Sequence, residues 1–85
     1  MSPKITIYTS PSCSHCQALK KWLQEKSLSF TEKDVIENES NRDFIVQKTN
    51  QMEIPVAIIT DQAGKKEQVV IGFDPNKLAN AISNF

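Results

Sequence analysis

Apolar and polar residues alternate with a period of two over Lys4-Ile5-Thr6-Ile7-Tyr8. The run is rich in β-branched and aromatic side chains, so it predicts a strand. Thr9-Ser10-Pro11-Ser12 breaks the alternation and supplies helix-start residues. From residue 13 to about 26 the period changes to that of a helix. Ala18, Leu19, Trp22 and Leu23 form its apolar stripe, with Lys20, Lys21 and Glu25 mostly on the other side. Residues 29–35 read as a second strand, less cleanly patterned. Asn38-Glu39-Ser40-Asn41 looks like a cap leading into a short helix with Phe44, Ile45 and Lys48, and Asp43 is expected in its first turn.

A loop at residues 50–53 is closed by Ile54-Pro55. Val56-Ala57-Ile58-Ile59-Thr60 is a continuous apolar run, predicting a strand buried on both faces. Residues 61–66 form a turn in which Gly64 is free to take a positive φ, and Glu67–Ile71 pairs back as a hairpin. Gly72-Phe73-Asp74-Pro75 is a second turn, with Asp74 as N-cap and Pro75 at the first helical position of a last helix. That helix carries Leu78, Ala81, Ile82 and Phe85 on one face. The order is β-α-β-α-β-β-α. The first crossover should be right-handed with strands one and two parallel, and the hairpin adds two antiparallel strands. The expected fold is α/β, a four-stranded mixed sheet with three helices.

The 85 residues fit one domain, 1–85, burying roughly 60–65% of the extended chain's surface. Ten basic and ten acidic residues cancel, leaving no net charge to draw nucleic acid or an anionic membrane. No apolar run approaches the ~20 residues of a membrane span. The start, Met1-Ser2-Pro3-Lys4-Ile5, enters the strand pattern at once, without the apolar segment of a signal peptide. A cytoplasmic, reducing location is therefore expected. There, a lone pair of nearby cysteines is catalytic or metal-binding before it is a structural staple.

The pair is Cys13-Ser14-His15-Cys16, which holds both cysteines of the chain at the junction of strand and helix. Thiols three residues apart can close into a small disulfide ring. The positive end of the helix dipole faces the first of them and favours its thiolate, the species that attacks disulfides. A dithiol redox centre follows, with Cys13 as nucleophile and Cys16 resolving the mixed disulfide. His15, when protonated, adds positive charge beside Cys13 and should raise the reduction potential. The opposing expectation is a solvent-facing His15 with little influence.

The stretch from Ile7 through Cys13-Ser14-His15-Cys16 to Lys20, the Gln51-Met52-Glu53-Ile54-Pro55-Val56 segment, and Ile71-Gly72-Phe73-Asp74 together resemble the glutaredoxin group. The resemblance implies the minimal thioredoxin fold, thiol–disulfide exchange and no bound cofactor. It also implies a monomer working on disulfide-containing proteins or glutathione mixed disulfides. By the same resemblance Ile54–Pro55 is cis, and Ser12, Ser14, His15, Ile54, Pro55, Gly72, Phe73 and Asp74 frame the substrate groove. Asp74 is there a candidate acceptor for a substrate amino group as well as an N-cap. Phe73 is a candidate reductase contact or a core residue; Trp22 is expected in the core and Gln47 on solvated helix surface. Three departures stand out. Ser14-His15 replaces the family's Pro-Tyr, Thr9-Ser10 stands where a lysine meets glutathione, and Gly72-Phe73-Asp74 is a reduced end loop. Gly-Phe followed by Pro is closer to small redoxins reduced by thioredoxin reductase, so the electron source is glutathione or thioredoxin reductase. The rival function is an iron–sulfur cluster or metal bound through Cys13 and bridged between subunits. One four-ligand zinc site is a poor fit to two Cys and an adjacent His.

Overall fold

The computed structural model describes residues 3–85, so Met1 and Ser2 of the opening segment lie outside the described residues. The elements follow the expected order: β1 (Lys4–Thr9), α1 (Ser14–Glu25), β2 (Thr31–Asp34), α2 (Glu39–Thr49), β3 (Val56–Thr60), β4 (Glu67–Ile71) and α3 (Pro75–Ser83). The sheet runs β2-β1-β3-β4. β1 is parallel to β2, with Ile7 opposite Glu32 and Thr9 opposite Asp34. β3 runs antiparallel to both β1 and β4, with Tyr8 opposite Val56 and Val56 opposite Ile71.

Alternation along the strands sends side chains to two faces. Ile5, Ile7, Ala57, Ile59 and Val70 join Leu19 and Leu23 of α1 and Leu78 and Ala81 of α3 in one core. Tyr8, Val56 and Ile58 join Val35 and Ile45 of α2 in the other. Four of the five residues of β3 are buried, as its unbroken apolar run requires of a central strand.

Several boundaries differ from the sequence expectation. Thr9 closes β1 rather than opening the loop. β2 is four residues, not seven, because its register with β1 begins only at Thr6 opposite Thr31. Val35 lies past its end, yet its N–H still donates to the Thr9 carbonyl at 3.0 Å and its side chain is buried. β2 is an edge strand with no buried residue, which explains its weak pattern. In α2 the N-cap is Asn38, whose Oδ1 accepts the Ser40 N–H at 2.9 Å. The acid of the first turn is therefore Glu39, and Asp43 lies one turn further on. Phe85 falls beyond α3, although it still packs on the core with Ile82.

Candidate active site

β1 and β2 end, β3 begins and β4 ends at the same edge of the sheet. The loop after β1, the residues before β3 and the turn after β4 are therefore neighbours. That edge gathers Cys13, Ile54–Pro55 and Gly72-Phe73-Asp74, the three segments that the sequence marks.

Cys13 is the N-cap of α1. Its N–H donates to the Ser10 carbonyl at 3.2 Å, which folds the loop back, and its own carbonyl accepts the first helical bond from Gln17 at 3.2 Å. Its Sγ accepts the Cys16 backbone N–H at 3.1 Å, so sulfur takes the place that Ser or Asp oxygen takes in other caps. The Ser10 hydroxyl is buried and braces the turn by accepting the Ser12 N–H at 3.3 Å and meeting the Ser12 hydroxyl at 3.2 Å.

The helix phase separates the two thiols. Cys16, Leu19 and Leu23 recur at three and four residues and are fully buried, whereas Cys13 precedes the stripe and is half-exposed. Both thiols are free. Burial pushes the Cys16 thiol up to about 12, and a side-chain hydrogen bond to Cys13 adds to this. A backbone hydrogen bond at Ser10 and the charge of Lys20 pull weakly the other way. Cys16 thus stays a protonated thiol at neutral pH, placed to donate to the Cys13 sulfur.

Ile54–Pro55 is cis, as the resemblance implies. Pro55 is buried and Ile54 half-buried, and the Pro55 carbonyl accepts the Gly72 N–H at 2.7 Å, joining two of the three segments. Gly72 takes φ +81, a left-handed conformation that glycine adopts without penalty. Asp74 caps α3, its Oδ1 accepting the Lys77 N–H at 3.1 Å. Phe73 packs against the α1/α3 core while staying partly open at the rim. Ser12, Ser14 and His15 are exposed around the N-terminus of α1. Trp22 is half-buried against the same core with Lys26 over its ring, and Gln47 is exposed on α2.

The sequence pattern alone does not reveal a polar cluster beneath α1. Thr9 Oγ1 donates to Glu32 Oε2 at 2.6 Å, and Lys20 Nζ lies 3.1 Å from the same oxygen. The hydrogen bond from Thr9, aided by Lys20, holds the Glu32 carboxyl below its ordinary range. Among the described residues no group of three or more His, Cys, Asp or Glu side chains comes together as a metal site.

The glutaredoxin family model matches residues 5–63. The chain is 28% identical over 81 residues to the Gene 56 protein of Mycobacterium phage L5, spanning 95% of this chain and 74% of that protein. It is 40% identical over 43 residues to the global transcriptional regulator Spx of Staphylococcus aureus, spanning 51% of this chain and only 33% of Spx. The fold superimposes on the glutaredoxin-like NrdH-redoxin from Escherichia coli with a TM-score of 0.77 at 23% identity, over 91% of this chain and 92% of that one. The chain belongs to the glutaredoxin family and is a thiol–disulfide oxidoreductase.

Proposed function

We propose that Cys13 attacks and Cys16 resolves in the reduction of protein disulfides, with electrons supplied by a thioredoxin reductase rather than by glutathione. The observation that carries the roles is the asymmetry of the pair: a half-exposed sulfur at the helix N-cap, and a buried thiol one turn behind it. The Cys13 thiolate forms a bond to one sulfur of the substrate disulfide, and the other sulfur leaves as a thiolate and is protonated. Cys16 then gives up its proton and attacks Cys13 Sγ, forming the Cys13–Cys16 bond and releasing the second substrate thiol. The substrate gains two electrons, the pair loses two, and the reductase restores them.

Support for the reductase comes from charge. Glutathione brings two carboxylates, while residues 9–12, just ahead of Cys13, carry no cation. Lys20 is engaged by Glu32, and Lys48 by Glu67. The NrdH-redoxin, glutaredoxin-like in fold, is described as having a thioredoxin-like activity profile. Ile54 and Gly72-Phe73-Asp74 would frame the groove, an extended substrate pairing with the Ile54 backbone as an added strand. A reducing compartment such as the cytoplasm suits this chemistry.

The test is a parallel assay with NADPH plus thioredoxin reductase against glutathione plus glutathione reductase. Turnover is expected with thioredoxin reductase, and turnover with glutathione alone overturns the choice of reductant. Cys13→Ser should abolish dithiol turnover; full activity in that variant overturns the assignment of the nucleophile. Visible colour on anaerobic purification would favour a bridged iron–sulfur cluster instead.

A further inference from the structure

We propose that Lys20 is a positioning residue of the resolving step, its ammonium held by Glu32 so that it favours the ionised form of Cys16 as that sulfur attacks. The proposal rests on Cys16 being the resolver. Its starting point is a chemical difficulty: a thiol buried in an apolar helix stripe must shed its proton before it can displace the substrate sulfur from Cys13. A nearby fixed cation eases that loss.

Lys20 is placed to act so. It lies four residues after Cys16 on α1, one turn away on the same side of the helix. β1 and β2 fix its far end. Ile7 and Thr9 point to the α1 face of the sheet, Glu32 is paired with Ile7 on that face, and its Oε2 holds Lys20 Nζ at 3.1 Å. The same oxygen accepts the hydroxyl of Thr9, which is 1% exposed and ends the strand that leads into the cysteine loop. Glu32, whose carboxyl is held below its ordinary range, is ionised at neutral pH and keeps Lys20 in place. Exposed Lys–Glu pairs contribute little to folding; this one is anchored to a buried hydroxyl beside the redox loop.

Lys20 is not alone in bearing on Cys16. Cys13, at the cap of the same helix, opposes its ionisation more strongly than Lys20 favours it, and a backbone hydrogen bond at Ser10 works on the same side as Lys20. His15 is exposed and precedes it in the chain. β3 has no titratable side chain, Glu67 of β4 is engaged by Lys48, and Tyr8 of β1 belongs to the core on the α2 side.

The two chemical steps can be read apart with dithiodipyridine, a neutral aromatic disulfide. Attack by Cys13 releases one equivalent of thiopyridone and leaves a mixed disulfide; attack by Cys16 forms the Cys13–Cys16 bond and releases the second. Lys20→Met should slow only the second release. The smaller thiolate population is partly offset by the greater intrinsic nucleophilicity of each thiolate, so the expected net loss is no more than about threefold. Lys20→Arg should restore the rate. Glu32→Gln removes the ion pair that holds Lys20 in place, so its second release should slow as well, by no more than in Lys20→Met. No slowing of the second release in Lys20→Met, or equal slowing in Lys20→Arg, overturns the proposal. If Lys20→Met fails to fold, an unslowed second release in Glu32→Gln overturns it. Release of a single equivalent by the native protein, or of two by Cys16→Ser, refutes the resolver role itself.

Discussion

The two faces of the sheet are built to different depths. On the α1/α3 face nine buried residues interlock, and Trp22, Leu28, Phe30, Phe73, Ile82 and Phe85 pack around them. On the α2 face the buried cluster is Tyr8, Val35, Ile45, Val56 and Ile58, and α2 itself contributes only Ile45, with Phe44 and Val46 partly open to solvent. The cysteines belong to the deep face. Keeping one thiol buried and its neighbour half-exposed demands a helix whose phase is fixed, and Leu19 and Leu23 fix it by filling the core beneath α1. A helix anchored by a single residue, as α2 is, could rotate and blur the distinction between Cys13 and Cys16.

The largest effect expected from this difference is on stability. Leu19→Ala removes a fully buried side chain from a packed layer that cannot close over the gap, and should cost about 3–5 kcal/mol. Ile45→Ala, also fully buried but under a lone anchor that can settle inward, should cost about 2–3 kcal/mol. Urea denaturation of the two reduced proteins measures both. Equal losses would mean that the faces do not differ in the way their burial suggests.

A second effect concerns Cys16 and alkaline pH. In the unfolded chain this thiol ionises near its ordinary 9, and in the native state near 12. Below pH 9 both states keep the proton, and the native preference for the neutral thiol is fully present. Between 9 and 12 the unfolded chain releases a proton that the folded protein retains, so the stability of the reduced protein falls as pH rises. Cys16→Ala should flatten that fall. Tyr8 also titrates above its ordinary value and pushes in the same direction, but it is present in both proteins and cancels from the difference. Identical alkaline slopes would show that Cys16 is not held in the apolar stripe.

Much of this was legible in the chain. The period of two in Lys4–Thr9, the unbroken apolar run of β3 and the Asp74-Pro75 helix start each dictate their local structure, and the order of elements follows from them. The edge strand was legible only in part, since β2 touches one neighbour and buries none of its side chains. Within the site, the placement of Cys13 at the cap could be read from the strand–break–helix sequence. The burial of Cys16 could be read only by admitting cysteine to the stripe of Leu19 and Leu23, where it behaves as a small apolar residue. The Thr9–Glu32–Lys20 contact was not legible. It joins residues 23 apart across a parallel pairing whose register no local pattern specifies.

The smallest predicted effect tests the shallow face from outside. Phe44 stacks on Tyr8, with ring centroids 5.6 Å apart and planes 20° from parallel, while itself 46% exposed. Such a contact contributes about 1 kcal/mol, and Phe44→Ala should lose about that much. The chain has one tyrosine, so its ionisation can be followed directly by absorbance. Burial holds the Tyr8 hydroxyl above its ordinary range against the opposing charge of Lys48. Uncovering the ring weakens the burial and leaves Lys48 in place, so the tyrosine titration should move to lower pH. The rates of both thiopyridone releases should stay as they are, because α2 lies across the sheet from the helix that carries the thiols. A Phe44→Ala protein that slowed the second release would show that the shallow face also holds Cys16, and would remove the distinction between the two.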